Sequence, residues 1–170
     1  FKSAGPSGFG YASTAEEVTE GVDLSGKTVL ITGINSGLGA ETARVLHMRG
    51  ARILGAARTL AKARDALASL GKDAVPLACE LSEPASVRAC VETASAHGPI
   101  DVLLCNAGIM ALPERTLAHG QELQFLTNPV GHFMLVTGLL DQLTDDGRVV
   151  MLSSAAHNWA PPGGIQLDDL

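Results

Sequence analysis

Gly33, Gly37 and Gly39 have the spacing with the most chemical content. They follow the apolar run Thr28-Val-Leu-Ile-Thr32 and precede the helix-like stretch Ala40-Glu-Thr-Ala-Arg-Val-Leu-His-Met48. A strand that turns through glycines into a helix cradles a dinucleotide diphosphate. Gly33 allows a sharp turn, Gly37 has no Cβ to obstruct the diphosphate, and Gly39 lets the helix lie tight on the strand. Asn35, Ser36 and Leu38 complete the turn, whose unpaired N–H groups face the anion at the helix start. Taken alone, the same glycines also describe an ordinary tight turn between strand and helix.

The elements around this turn alternate. Lys27 to Ile31 reads as the first strand and Gly37 to Arg49 as the first helix, closed by Gly50. Arg52 to Ala57 is a second strand, and Thr59 caps a helix running through Leu70. Ala74 to Cys79 is a third strand, in which Pro76 argues for a sheet edge or an early position lacking one ladder bond. A helix then runs from Ser82-Glu-Pro84 to His97, followed by a strand from Ile100 to Cys105. The pattern next predicts one long helix from Gln121 to Leu143, a turn at Asp145-Asp-Gly147 and a fifth strand from Arg148 to Leu152.

Strand alternating with helix over residues 27 to 153 is the signature of an α/β doubly wound parallel sheet, a Rossmann fold, whose ligand crevice lies at the strand carboxyl ends. The Gly33 turn, Arg58, Glu80, Asn106 and Ser154 all fall at those ends. Residues 1–22 read as a leader, with Ser13 and Glu16 as the capping box of a short helix, and residues 23–170 as the dinucleotide-binding domain.

An acidic residue at the end of the second strand would bond the ribose hydroxyls of NAD. That position holds Ala57, followed by Arg58. A guanidinium pairs with a 2′-phosphate and stacks on adenine, so the pattern favours NADP over NAD, the alternative being that Arg58 is a solvated helix-start residue.

With these residues in place, the chain resembles the short-chain dehydrogenase/reductase family. Thr32-Gly-Ile-Asn-Ser-Gly-Leu-Gly39 is similar to that family's cofactor motif, and Cys105-Asn106-Ala107-Gly108 to its Asn-Asn-Ala-Gly motif, with Cys105 replacing the first Asn. The leader and Asp23-Leu-Ser-Gly-Lys-Thr28 most resemble the retinol-dehydrogenase-like branch. The resemblance implies hydride transfer between a nicotinamide and a carbonyl or alcohol. It implies Asn128 as the holder of a proton-relay water and Ser154, after the fifth strand, as the group that binds the substrate oxygen. It also sets Glu80 and Leu81 beside the adenine, with Glu80 in place of the usual Asp. The family's Tyr-x-x-x-Lys pair is absent from these residues, and the sole tyrosine, Tyr11, lies ahead of the first strand. In the family that pair lies beyond a substrate loop that Asp168-Asp-Leu170 resembles, so the resemblance implies a sheet missing its C-terminal strands and helices. A non-catalytic NADP-binding sensor or scaffold is the competing reading.

Pro129, directly after Asn128, removes a helical N–H and either enforces a functional irregularity or merely kinks the helix. His132 and His157 have no third ligand nearby in sequence, so core or loop roles are favoured and no metal is assigned. Trp159 and Pro161-Pro-Gly-Gly164 line a substrate mouth or serve as a connector.

Composition narrows the partners. A net charge of −6 with dispersed basic residues gives no footprint for nucleic acid or an anionic membrane, and no apolar run approaches a membrane span. Cys79, Cys90 and Cys105 sit in apolar surroundings, which favours reduced thiols in a cytoplasmic protein over a redox role. The expected partner is a small alcohol or carbonyl compound, with homo-oligomerisation possible through the helix carrying Asn128.

Overall fold

The structure, a computed structural model, describes residues 4–164. The expectation for Asp168-Asp-Leu170 lies outside the described residues. Five parallel strands form the main sheet: β1 (Thr28–Thr32), β2 (Arg52–Ala57), β3 (Val75–Ala78), β4 (Ile100–Cys105) and β7 (Leu143–Met151). Their order is β3-β2-β1-β4-β7, which places β3 and its Pro76 at an edge. The order reverses between β1 and β4, and a doubly wound sheet opens its ligand crevice at that switch.

The apolar alternation of β1 explains why helices cover both faces. Val29 and Ile31 point into a layer with Ile53, Ala43 of helix α2 (Gly37–Met48), and Ala63 and Leu67 of helix α3 (Leu60–Leu67). Leu30 points the opposite way, toward Leu54 and Leu103, Cys90 of helix α4 (Pro84–Ser95), and Leu135 and Leu139 of helix α6 (His132–Leu139). A strand buried on both faces needs a near-continuous apolar run, which Val29-Leu30-Ile31 supplies at the centre of the fully buried β1. Gly55 brings α3 close, because an added Cβ would lie 2.9 Å from Leu67 Cδ1.

Several boundaries differ from the sequence expectation for identifiable reasons. The leader helix α1 (Ala15–Val18) is capped by Thr14 and Glu17, one residue beyond the expected Ser13 and Glu16, and both bonds of that capping box form. Helix α3 ends in a 3₁₀ turn at Ala68–Leu70 before Gly71, at φ +84°. The expected helix from Gln121 is replaced at its start by a hairpin of β5 (Leu117–Ala118) and β6 (Gln121–Glu122), leaving a short helix α5 (Leu123–Phe125). A π-helical turn follows at Leu126–Gly131, containing Pro129, whose missing N–H breaks the regular ladder.

The fifth strand starts earlier than expected, at Leu143. Ile100 pairs with Leu143 and Val102 with Arg148, so Asp145-Asp-Gly147 forms a bulge inside the strand. Gly147 permits it, since a Cβ there would lie 2.7 Å from the Thr144 carbonyl oxygen.

Candidate functional site

The carboxyl ends of the main strands surround a cleft of about 500 Å³. Its base is the glycine turn. Gly33, at φ +73°, donates its N–H to the Ala56 carbonyl at 2.8 Å, and buried Ile34 anchors the turn in the core. A Cβ on Gly39 would collide with the Gly33 carbonyl oxygen, so only glycine allows α2 to start this close to β1. Gly37 differs: its φ is +55°, yet nothing lies within 4 Å of an added Cβ. Its left-handed backbone calls for glycine and leaves open space above the turn. Ser36 makes no side-chain cap bond to α2, so the first-turn N–H groups remain available to an anion. The turn therefore fits a dinucleotide diphosphate.

The far wall comes from β2 and β3. Ala57 is buried, and Arg58 is exposed at the rim with no hydrogen bond or ion pair among the described residues. Glu80 is held in place locally, donating its N–H to Ser86 Oγ at 2.9 Å and accepting from Ser82 Oγ at 3.0 Å. Leu81 is buried against Gly131, where a Cβ would collide with the Leu81 carbonyl oxygen.

A hydrogen-bonded network ties the near wall together. Thr32 Oγ1 accepts from the N–H groups of Asn106 and Ala107, both at 3.0 Å, and Asn106 Nδ2 donates to the Thr32 carbonyl at 2.9 Å. Asn128 Oδ1 accepts from the Ile109 N–H at 2.9 Å, while its Nδ2 donates to the Ile109 carbonyl at 2.8 Å. His132 lies between them, with Nδ1 2.7 Å from the Asn128 carbonyl oxygen and Nε2 2.9 Å from Thr32 Oγ1. Burial holds the His132 pKa below its ordinary value.

Gly33, Asn35, Ser36, Leu38, Arg58, Glu80, Leu81, Asn106, Ala107 and Gly108 all line the cleft. Gly37, Asn128 and Ser154 do not. Asn128 lies behind the cleft lining, its amide clamping Ile109 and its carbonyl linked to Thr32 through His132. Ser154 is exposed and caps a 3₁₀ turn at Ala155–Trp159, its Oγ accepting from the Ala156 N–H at 3.1 Å. Sequence reasoning passed over Thr32, Ile109 and Thr127 as cleft residues; only Thr32 carried a signal, as the hydroxyl that opens the glycine motif. Tyr11 and Trp159 are exposed and lie off the cleft. The three cysteines are free and buried, and burial pushes the Cys105 thiol up to about 11, so it stays protonated and unreactive at neutral pH. Among the described residues, no helix is long and apolar enough to cross a membrane.

Comparison with known proteins points the same way. The short chain dehydrogenase family model matches residues 27–165. The chain is 41% identical over 180 residues to short-chain dehydrogenase TIC 32 B, chloroplastic, of Brassica napus, covering 97% of this chain and 56% of that protein. It is 39% identical over 157 residues to retinol dehydrogenase 12 of Bos taurus, covering 88% and 49%. Among solved structures, a 3-ketoacyl-(acyl-carrier-protein) reductase from Brucella melitensis complexed with NADH superposes with a TM-score of 0.62 at 31% identity, covering 71% of this chain and 51% of that one. A blue fluorescent protein from a metagenomic library in complex with NADPH gives 0.71 at 30% identity, covering 85% and 62%. The chain spans about half the length of the curated relatives it matches.

Proposed function

The chain belongs to the short-chain dehydrogenase family, and from that premise we propose that the protein transfers a hydride between NADP(H) and the carbonyl or alcohol carbon of a small molecule. The observation that carries the choice of cofactor is Arg58, exposed at the cleft rim beside Ala57 and without a partner among the described residues, where an NAD-binding site needs a carboxylate. A guanidinium there pairs with a 2′-phosphate, and no acidic side chain stands at that position to repel it.

When bound, the nicotinamide supplies or accepts the hydride; the protein's part is to bind, orient and polarise. The glycine turn and the N–H groups that open α2 hold the diphosphate, with Asn35, Ser36, Gly37 and Leu38 shaping the turn. Glu80 and Leu81 form the adenine-side wall, and Asn106, Ala107 and Gly108 the opposite one. The Ser154 Oγ already accepts from Ala156, so its proton is free to donate to a substrate oxygen, the polarisation that hydride addition to a carbonyl requires. Asn128 holds the segment after β4 and places its backbone near a relay water, as the family resemblance implies. The reduced, buried thiols suit a reducing compartment, and the cytoplasm is the location this reading assigns.

A non-catalytic NADP sensor is the second reading, since the glycine turn and Arg58 account for dinucleotide binding without any catalytic group. The test uses the complete natural protein that carries this chain. NADPH and NADH are titrated by fluorescence and calorimetry, and NADPH oxidation is then followed against a panel of aldehydes and ketones. Binding with turnover supports the oxidoreductase, binding without turnover supports the sensor, and no binding of either dinucleotide defeats both.

A further inference from the structure

His132 is 3% exposed and has no part in the reaction as proposed, yet it joins three segments distant in sequence. Packing alone does not call for an imidazole there, and burying one without partners is costly. Both ring nitrogens are bonded, and the partners assign the tautomer. The Asn128 carbonyl can only accept, so Nδ1 carries the proton; Nε2 is then an acceptor and takes the hydroxyl proton of Thr32. With its proton directed at His132, Thr32 Oγ1 has both lone pairs for the N–H groups of Asn106 and Ala107.

The bonds leave little slack. Gly33 and Ala107 are in close contact, since a Cβ on Gly33 would lie 2.9 Å from Ala107 Cα, so the glycine turn and the Asn106-Ala107-Gly108 wall move together. The same imidazole holds the backbone of Asn128, whose amide fixes Ile109 further along that wall.

We propose that His132 is a positioning residue. Held as the Nδ1–H tautomer, it orients the Thr32 hydroxyl and the Asn128 carbonyl together, and so sets the spacing between the glycine turn and the Asn106-Ala107-Gly108 wall that grip the dinucleotide. This inference rests on the dinucleotide-binding reading above.

The test again uses the complete natural protein. Long-range ¹H–¹⁵N NMR of His132 is expected to show a neutral Nδ1–H imidazole; a neutral Nε2–H form overturns the proposal, even if no dinucleotide binds. For binding, NADPH is titrated against His132→Phe, His132→Asn and His132→Gln, with folding checked by circular dichroism. Phe removes both bonds, Asn keeps a donor on the Asn128 side, and Gln can present an acceptor near the Nε2 position. Phe and Asn are expected to weaken NADPH binding on the order of tenfold, with Gln recovering most of it. His132→Phe is expected to cost less in a Thr32→Val background than in the wild type, because only the bond to the Asn128 carbonyl is then left to lose.

A folded His132→Phe protein that binds NADPH like the wild type, or losses that add across the pair, overturns the proposal. If His132→Phe does not fold, the tautomer and the contrast between Gln and Asn decide. A wild type that binds neither NADPH nor NADH defeats the dinucleotide reading instead, and the tautomer together with amide exchange at Asn106 and Ala107 then judges the wall-coupling role separately.

Discussion

The Thr32 hydroxyl lies 2.9 Å from Nε2 of His132, one hundred residues further along the chain, and it is the point at which β1, the segment after β4 and the start of α6 are bonded together. Thr32→Val removes the oxygen but keeps the shape. It takes this partner from the part-buried Ala107 N–H and leaves the Asn106 N–H with the Leu104 carbonyl at 3.1 Å, and a buried group left without a partner costs about 1–3 kcal/mol. Thr32→Ser keeps the hydroxyl and loses one methyl, a cost of about 1 kcal/mol. Urea unfolding of the two variants is expected to rank them in that order, with the valine variant clearly the less stable.

The same ring makes stability depend on pH. Burial lowers the folded-state pKa of His132 from 6.5, and no charged side chain contributes to the shift. Between the folded pKa and 6.5 the unfolded chain binds a proton that the folded chain does not, so stability rises with pH in that window. Above 6.5 both states are neutral and the contribution is complete. As the pH falls through 6.5 toward the folded value, stability is lost, and below the folded value the loss levels off. Urea midpoints at pH 5, 6, 7 and 8 are expected to show this slope in the wild type and a shallower one in His132→Phe.

Arg58 sets the choice of dinucleotide under the proposed function. Arg58→Ala is expected to weaken NADPH binding by about tenfold, the scale of one charge-assisted bond, and to leave NADH binding nearly unchanged. Paired calorimetric titrations measure both. Equal losses for the two dinucleotides would move Arg58 from the 2′-phosphate to a general role at the rim.

Gly37 and Gly39 separate two uses of glycine in one turn. Gly39→Ala puts a Cβ against the Gly33 carbonyl, and overpacking of this kind typically costs about 1–3 kcal/mol. Gly37→Ala meets nothing, so its folding cost is confined to the positive φ, about 1–2 kcal/mol. Its larger effect is expected on NADPH affinity, because the new methyl enters the open space above the turn. Thermal melts and fluorescence titration of the two variants distinguish these outcomes.

Much of the fold was legible because its signals are local. The bounds of β2 and β4 were read directly, since each is a short apolar run between a glycine or proline stop and a polar cap. Pro76 marked the sheet edge by lacking a ladder donor. The glycine turn and the Asn106-Ala107-Gly108 segment were recognisable as motifs, and the structure brings both onto one cleft.

Other features depend on partners that no local pattern reveals. Apolar periodicity from Gln121 to Leu143 reads as one helix, while the folded chain keeps α-helix only in α5 and α6, joined by a π-turn around Pro129, with a hairpin before them and a bulged strand from Leu143 after them. The bulge exists because β7 must match the register of β4, a constraint set more than forty residues earlier. Asn128 stood out through the family resemblance, but that its amide is bonded to the backbone of Ile109 is a tertiary fact.

By itself, then, the sequence determined the order of strands and helices, the glycine turn and the basic residue at its rim, because these follow from backbone freedom, apolar spacing and charge. Only the tertiary structure decided that His132, from sequence an unremarkable core or loop residue, bonds Thr32 and Asn128 at once. A hydrogen bond between residues far apart in the chain forms only after the sheet order has brought their elements together, so nothing in the spacing of either residue could show it.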